Sequence, residues 1–229
     1  MKAFIFDLDG VLVDTAKYHY IAWKTIGTSF NFNLTETQNE GLKGISRTDS
    51  LDLMLEWAGT KVSLEQKEIL LRQKNEHYLE LIQEMDRTEI LPGVLTILNF
   101  AKENSIQVAL GSASKNAQLI LKKLDLLPYF HSIVDGTHVT HSKPNPEVFL
   151  LGAKNLKTPA NQCVVFEDAA AGVAAAKAAQ MVAVGIGDAK ELAAADYLFA
   201  PRPRSTWCKS ALTHLCLLLD RAAFSFKTV

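Results

Sequence analysis

Two carboxylates, Asp7 and Asp9, stand two positions apart at the end of an apolar run, Ala3-Phe4-Ile5-Phe6, and Gly10 follows at once. The run reads as a buried strand. Side chains alternate faces along a strand, so Asp7 and Asp9 leave on one side and Leu8 on the other. Two acids in that position repel each other and lose hydration. A cation together with an anionic phosphoryl group accounts for them; a loop that merely carries two aspartates is the plain alternative. In the first case Asp7 is suited to attack phosphorus as a carboxylate nucleophile, giving an aspartyl phosphate. Asp9 is placed to exchange a proton with the substrate hydroxyl or the leaving oxygen. Ser112 and Lys143 are residue types that hold equatorial phosphoryl oxygens, where charge is stabilised during transfer. Asp168, with Glu167 beside it, completes with Asp7 an oxygen shell for Mg²⁺, which favours carboxylates, waters and phosphate oxygens. Taken singly, each has an ordinary reading: Ser112 as a helix cap, Lys143 as a solvated lysine, Glu167 and Asp168 as acids at a helix N-terminus. Their ordered recurrence along the chain carries the chemistry.

That order follows from the elements expected to position them. Apolar, β-branched runs recur at 106–110, 132–134, 163–166, 181–186 and 197–200, and helical patterns at 94–103, 117–124, 147–155 and 172–179 separate most of them. Strands alternating with helices imply a mostly parallel sheet covered on both faces. Ser112 then follows the second strand, Lys143 the third and Glu167-Asp168 the fourth. Ligands bind at the carboxyl ends of such strands. Pro144 and Pro146 sit where a helix would start, a position that tolerates proline. The stretch after Asp14 breaks the alternation. Helices are predicted over 16–26, over 48–57 with Leu51, Leu53, Met54 and Leu55 on its apolar face, and over 63–85, where Ser63 and Gln66 form a capping box. Leu91-Pro92-Gly93 marks the return. The fold class is therefore α/β, a Rossmann-like, mostly parallel sheet with helices on both faces, plus an inserted helical cap. The core spans 1–14 and 87–229, the cap 15–86. A cap on two linkers beside Asp7 is expected to shield the site from water; an inert helical subdomain is the alternative.

The bulk numbers narrow the rest. The chain has 229 residues, 48% of them hydrophobic and 21% charged, enough for a substantial core. Its net charge of −1 carries no nucleic-acid footprint. Three cysteines, Cys163, Cys208 and Cys216, are too few and too oddly spaced for a disulfide framework or a zinc site, and they fit a reducing cytosol. No run approaches the roughly 18 apolar residues of a membrane span, and the first residues lack a signal peptide's apolar core. A cytoplasmic protein without nucleic-acid or membrane partners is expected. Nothing demands an oligomer, so a monomer is expected too. Residues 201–229 are basic, with a helix expected over 206–221 and no function assigned to it.

The chain resembles the haloacid dehalogenase superfamily. The family's four motifs are matched by Asp7-Leu8-Asp9-Gly10, Ser112, Lys143 and Glu167-Asp168. The second aspartate of the first motif favours phosphoryl transfer over dehalogenation. Within the superfamily the insertion is similar to the cap of the β-phosphoglucomutases, in Asp14-Thr15-Ala16-Lys17-Tyr18-His19 with Ala22-Trp23-Lys24, in Gly41 to Leu51 around Lys43-Gly44-Ile45-Ser46-Arg47, and in Arg72-Gln73-Lys74-Asn75. Ser112-Ala113-Ser114-Lys115-Asn116 is similar to the mutase form of the second motif. The resemblance implies interconversion of β-D-glucose 1-phosphate and glucose 6-phosphate through an aspartyl phosphate on Asp7 and a β-glucose 1,6-bisphosphate intermediate. It implies Mg²⁺ at Asp7, Asp9, Glu167 and Asp168. Arg47 would grip the phosphate that is not being transferred, and His19 would couple closure to Asp9. Trp23, Lys43, Gly44, Ile45, Ser50, Lys74, Asn75, Ser114, Lys115 and Asn116 would face the same ligand. A Mg²⁺-dependent sugar-phosphate phosphatase with the same nucleophile stays open beside the mutase. The segment after Ala200, Pro201-Arg202-Pro203-Arg204-Ser205, departs from the family pattern.

Overall fold

The computed structural model describes residues 1–199. Its centre is a six-stranded, wholly parallel sheet in the order β3-β2-β1-β4-β5-β6, formed by β1 (Ala3–Phe6), β2 (Gln107–Gly111), β3 (Ser132–Val134), β4 (Cys163–Glu167), β5 (Val182–Ile186) and β6 (Tyr197–Phe199). The central strand β1 pairs Phe4 with both Val108 and Val164, and all four of its residues are buried. That is why it reads as a continuous apolar run rather than an alternating one. Alternation persists in what each face meets. Phe4 and Phe6 pack with Leu110, Phe166 and the helices α5 (Val94–Glu103) and α6 (Ala117–Lys123). Ala3 and Ile5 turn the other way, onto α7 (Glu147–Asn155) and α8 (Ala170–Ala178). The Phe6 and Phe166 rings stack 4.5 Å apart, directly beneath the residues that follow these two strands. Such pairs contribute about 0.5–1.5 kcal/mol beyond the area they bury.

Between β1 and α5 lie four helices, α1 (Ala16–Thr28), α2 (Glu36–Glu40), α3 (Arg47–Trp57) and α4 (Leu64–Leu81). They build an apolar cluster of their own from Trp23, Ile26, Leu34, Leu42, Leu51, Met54 and Leu55. Ala22, Tyr78, Ile82 and Met85 face the opposite way and join the core beneath the sheet. The two linkers are paired to each other: the Asp14 N–H donates to the Glu89 carbonyl at 2.9 Å and the Leu91 N–H to the Leu12 carbonyl at 3.0 Å.

The expected α4 ran to residue 85, whereas the helix stops at Leu81. Ile82 and Met85 leave the helical path because both are drawn into the core, where they are buried. The Ser63–Gln66 capping box is present. A second one, Thr35 with Gln38, starts the five-residue α2, too short for its periodicity to be read from sequence. The expected strand at 197–200 is present as far as Phe199. The helix over 206–221, with Cys208 and Cys216, lies outside the described residues. Cys163 is buried and free. Among the described residues no helix is long and apolar enough to cross a membrane.

Candidate active site

The carboxyl ends of β1, β2 and β4, and the loop after β3, converge as the alternation required. Asp7 follows β1, and its N–H donates to the Phe166 carbonyl at 3.0 Å, extending the ladder one step beyond the strand. Lys143 sits in the loop between β3 and α7. Its Nζ donates to Asp7 Oδ1 at 2.6 Å and to Glu167 Oε1 at 3.4 Å, and all three side chains are buried. Burial alone would push the Lys143 ammonium down. The two carboxylates outweigh it and hold the group above the ordinary lysine value. Burial lifts the carboxyls of Asp7 and Glu167, partly opposed by Lys143. Asp168 is raised to about 7 by burial, with the Asp7 charge adding to it.

Carboxylate oxygens of Asp7, Glu167 and Asp168 lie within 4.8 Å of one another. Glu167 Oε2 is a buried acceptor without a hydrogen-bond donor. Three converging hard oxygen ligands, one of them left unsatisfied and all resisting ionisation, fit a divalent cation such as Mg²⁺. Asp9 stands outside that cluster. Its carboxylate accepts the Thr15 hydroxyl and faces His19 Nε2 at 3.6 Å. Burial would raise its pKa, but His19, Thr15 and Lys74 together hold it below the ordinary carboxylate value. Thr15 occupies the N-cap position of α1 yet makes no capping bond. An N-cap is typically worth about 1 kcal/mol; here the hydroxyl is spent on Asp9 instead.

The helical insert supplies the opposite wall. Lys74 Nζ lies 2.8 Å from His19 Nδ1 and 4.8 Å from each of the Trp23 and Tyr78 ring centres. While Lys74 is protonated it can only donate, so Nδ1 is the bare nitrogen and the His19 proton sits on Nε2, aimed at Asp9. Burial, helped by Arg47, lowers Lys74 to about 7; burial and Lys74 lower His19. Arg47 opens α3 and donates to Asn75 Oδ1 at 2.6 Å; Asn116 donates to the same oxygen at 2.9 Å, across from the core. Ser50, one turn on, is buried, and its hydroxyl donates to the Ser46 carbonyl. Lys43 pairs with Glu40 at 2.6 Å and approaches Asp168 at 3.9 Å. Gly44 lies so close to the core, at φ +74°, that a Cβ there would stand 2.9 Å from that of Ala169. Ser112 is buried, and its Oγ accepts the Ser114 N–H at 3.1 Å.

These groups line one cavity of about 90 Å³, with the core as one wall and the insert as the other. Asp7, Asp9, Ser112, Ser114, Lys115 and Asp168 line it from the core, and His19, Trp23, Lys43, Gly44, Ile45, Arg47, Ser50 and Lys74 from the insert. Lys143, Glu167, Asn75 and Asn116 stand one layer behind, holding the lining residues. Leu42 and Ala113 also line the space; like Thr15 they stand within the motifs without a role of their own, and Asn39, a further lining residue, lies outside every motif. A threonine just before a helix signals a cap; nothing local marks its hydroxyl as bound elsewhere.

A profile of the haloacid dehalogenase-like hydrolases matches residues 1–180. The chain belongs to that family. Among individual relatives, this haloacid dehalogenase-like protein is 42% identical over 198 residues to a β-phosphoglucomutase of Bacillus subtilis, covering 86% of this chain and 88% of that one. It is 35% identical over 182 residues to a phosphorylated carbohydrates phosphatase of Thermotoga maritima, covering 78% and 82%. The fold superposes on a crystal structure of β-phosphoglucomutase from Clostridium difficile with a TM-score of 0.84 at 42% identity, covering 86% of this chain and 90% of the other. The parallel sheet is thus the fold of a haloacid dehalogenase-like enzyme.

Proposed function

We propose that this protein is a β-phosphoglucomutase, interconverting β-D-glucose 1-phosphate and glucose 6-phosphate. The observation that carries the reading is one cavity with two unlike anion-binding walls. On the core side stand Asp7, Ser112 and, behind them, Lys143; on the other stands Arg47, fixed by Asn75. A hexose bisphosphate needs both. Arginine suits the station that only grips, because its fork is bidentate and permanently charged.

In this reading Asp7 attacks the phosphorus of the bisphosphate. The Asp7 O–P bond forms, the sugar O–P bond breaks, and Asp9 delivers to the leaving sugar oxygen the proton that it took from a sugar hydroxyl in the preceding transfer. In the return step a hydroxyl of the other end attacks the aspartyl phosphate while Asp9 takes up its proton. Thr15 and His19 hold the Asp9 carboxylate for this traffic. Lys143 orients Asp7 and opposes the burial that disfavours its ionised form. Asp7, Glu167 and Asp168 would hold Mg²⁺, which when bound supplies positive charge against the phosphoryl oxygens. Residues 15–86 act as the cap: they supply one wall of the cavity and so screen the site from water when shut, and turning the bisphosphate round requires the cap to open.

A sugar-phosphate phosphatase is the second reading, favoured by the Thermotoga relative. The phosphoryl fate separates them. Incubation with β-glucose 1-phosphate, Mg²⁺ and a trace of β-glucose 1,6-bisphosphate is expected to yield glucose 6-phosphate. Stoichiometric inorganic phosphate with no glucose 6-phosphate would refute the mutase.

A further inference from the structure

The loop that delivers Lys143 is braced mostly by its own residues. The Glu147 carboxylate accepts the N–H groups of Thr140 at 3.0 Å and His141 at 2.8 Å. The Asn145 N–H donates to the Ser142 carbonyl at 3.0 Å. Asp135 accepts the N–H and the hydroxyl of Thr137. Among the described residues, one side-chain hydrogen bond ties this loop to the cap: the Ser142 hydroxyl donates to the Asp49 carboxylate. Asp49 is itself fixed within the first turn of α3. Its N–H donates to Ser46 Oγ at 3.1 Å, and its carboxylate accepts the Ser46 hydroxyl at 2.7 Å.

The two ends of this bond have informative neighbours. Ser142 directly precedes Lys143, whose ammonium is placed between Asp7 and Glu167. Asp49 lies two residues after Arg47, the cation on the cap side of the cavity. The bond also crosses a groove of about 880 Å³ that has Arg47, Ser112 and Lys143 among its walls and opens to solvent. When the cap swings away, Asp49 leaves with α3, and the loop loses its tie to the cap one residue before the lysine.

We propose that Asp49 and Ser142 form a closure latch, positioning residues that set Lys143 against Asp7 when the cap is shut. The inference rests on the aspartyl-phosphate chemistry proposed above and adds a division of labour to it. Transfer between Asp7 and a sugar oxygen takes place under a closed cap with the latch made. Loss of the phosphoryl group to water takes place under an open cap with the latch broken. The latch therefore favours sugar over water as the partner of Asp7.

Rapid quench of the full-length protein with Mg²⁺ and β-glucose 1,6-bisphosphate separates the two rates. Formation of aspartyl phosphate, with release of glucose monophosphate, reports the closed cap. The later appearance of inorganic phosphate from the phosphoenzyme reports the open one. Ser142→Ala removes the donor without touching α3 and is expected to slow formation by about three- to tenfold, the net worth of one typical hydrogen bond at a solvent-exposed position. Hydrolysis is expected to stay unchanged. Ser142→Thr, which keeps the hydroxyl, should restore formation, and Asp49→Asn, which keeps a neutral acceptor, should fall between. Equal slowing of both rates, or of neither, overturns the latch. Both rates are readable whether the wild-type protein goes on to make glucose 6-phosphate or only releases phosphate, so failure of the mutase reading would show separately. A wild-type protein that forms no aspartyl phosphate overturns both.

Discussion

Replacing Lys143 by methionine tests the electrostatic core of the site without removing much volume. The ammonium lies 2.6 Å from Asp7 and 3.4 Å from Glu167, in a pocket where all three side chains are buried. At an effective dielectric of about 20, the two attractions amount to about 6 and about 5 kcal/mol before the desolvation of the ammonium is subtracted. Breaking a buried pair by removing one partner typically costs about 3–5 kcal/mol, and that is the loss expected at pH 8 in Mg²⁺-free buffer. The pH dependence gives the sharper test. Burial already raises both carboxyls, so the folded protein binds protons there more readily than the unfolded chain does. Stability from such groups falls as pH rises past the ordinary carboxylate range and through the folded values. Without Lys143 those values climb further, so the deficit of Lys143→Met should widen from pH 5 to pH 8. Added Mg²⁺, a substitute cation, should narrow it at pH 8. Urea unfolding at several pH values, with and without Mg²⁺, reads all of this. A deficit under about 1 kcal/mol at pH 8, or one that grows on acidification, would refute the claim that uncompensated buried carboxylates dominate here.

Two further outcomes are expected. Gly172→Ala gains about 1 kcal/mol of helix propensity in α8, but the new Cβ would fall 1.6 Å from Glu167 Oε1 on a side chain that is fully buried. Overpacking at about 1–3 kcal/mol should win, and a displaced Glu167 should weaken Mg²⁺ binding by about tenfold or more; a variant as stable as the parent with unchanged Mg²⁺ titration contradicts the cluster geometry. Lys74, lowered from 10.5 to about 7, sheds its proton in the folded state before it does in the unfolded chain. The stability of the wild type relative to Lys74→Met should therefore rise between pH 7 and pH 9 by up to about 1.4 kcal/mol per unit, a difference in which the opposing slope of the raised Asp7, Glu167 and Asp168 carboxyls, present in both proteins, cancels. Below pH 9 the buried Cys163 thiol, raised from 9.0 to about 11, adds no opposing slope; parallel wild-type and variant curves would show that Lys74 is not desolvated.

Much of the site was legible because its chemistry is written locally. Asp7, Ser112 and Glu167-Asp168 each follow an apolar run that could only be a covered strand, and Lys143 lies in the loop after another, so convergence followed from fold class alone. The Ser63–Gln66 box was readable for the same reason, since its reciprocal bonds span three residues. The end of α4 was not: Ile82 and Met85 leave the helix for a core assembled from distant segments. The role of Thr15 was hidden too, because a hydroxyl before a helix has two possible acceptors and only the neighbouring Asp9 decides between them. The Asp49–Ser142 bond joins residues 93 apart on different layers, and no periodicity encodes it.

Burial pattern, helix period and the placement of acids are properties of short windows, and the sequence by itself determined them: a parallel sheet, a helical insert after the first strand, and a phosphoryl-type set of side chains at the strand ends. Only the tertiary structure decided which strands are neighbours. Seating β1 between β2 and β4 lets Lys143 reach Asp7 from 136 residues away and packs Glu167 against both. The same assembly buries Lys74 against Trp23 and Tyr78 and brings Arg47 over the cleft. Partner choice among strands depends on the joint packing of both sheet faces, and a local pattern is blind to it. The protonation balance of the site, set by that burial, follows from the fold and not from the residue types.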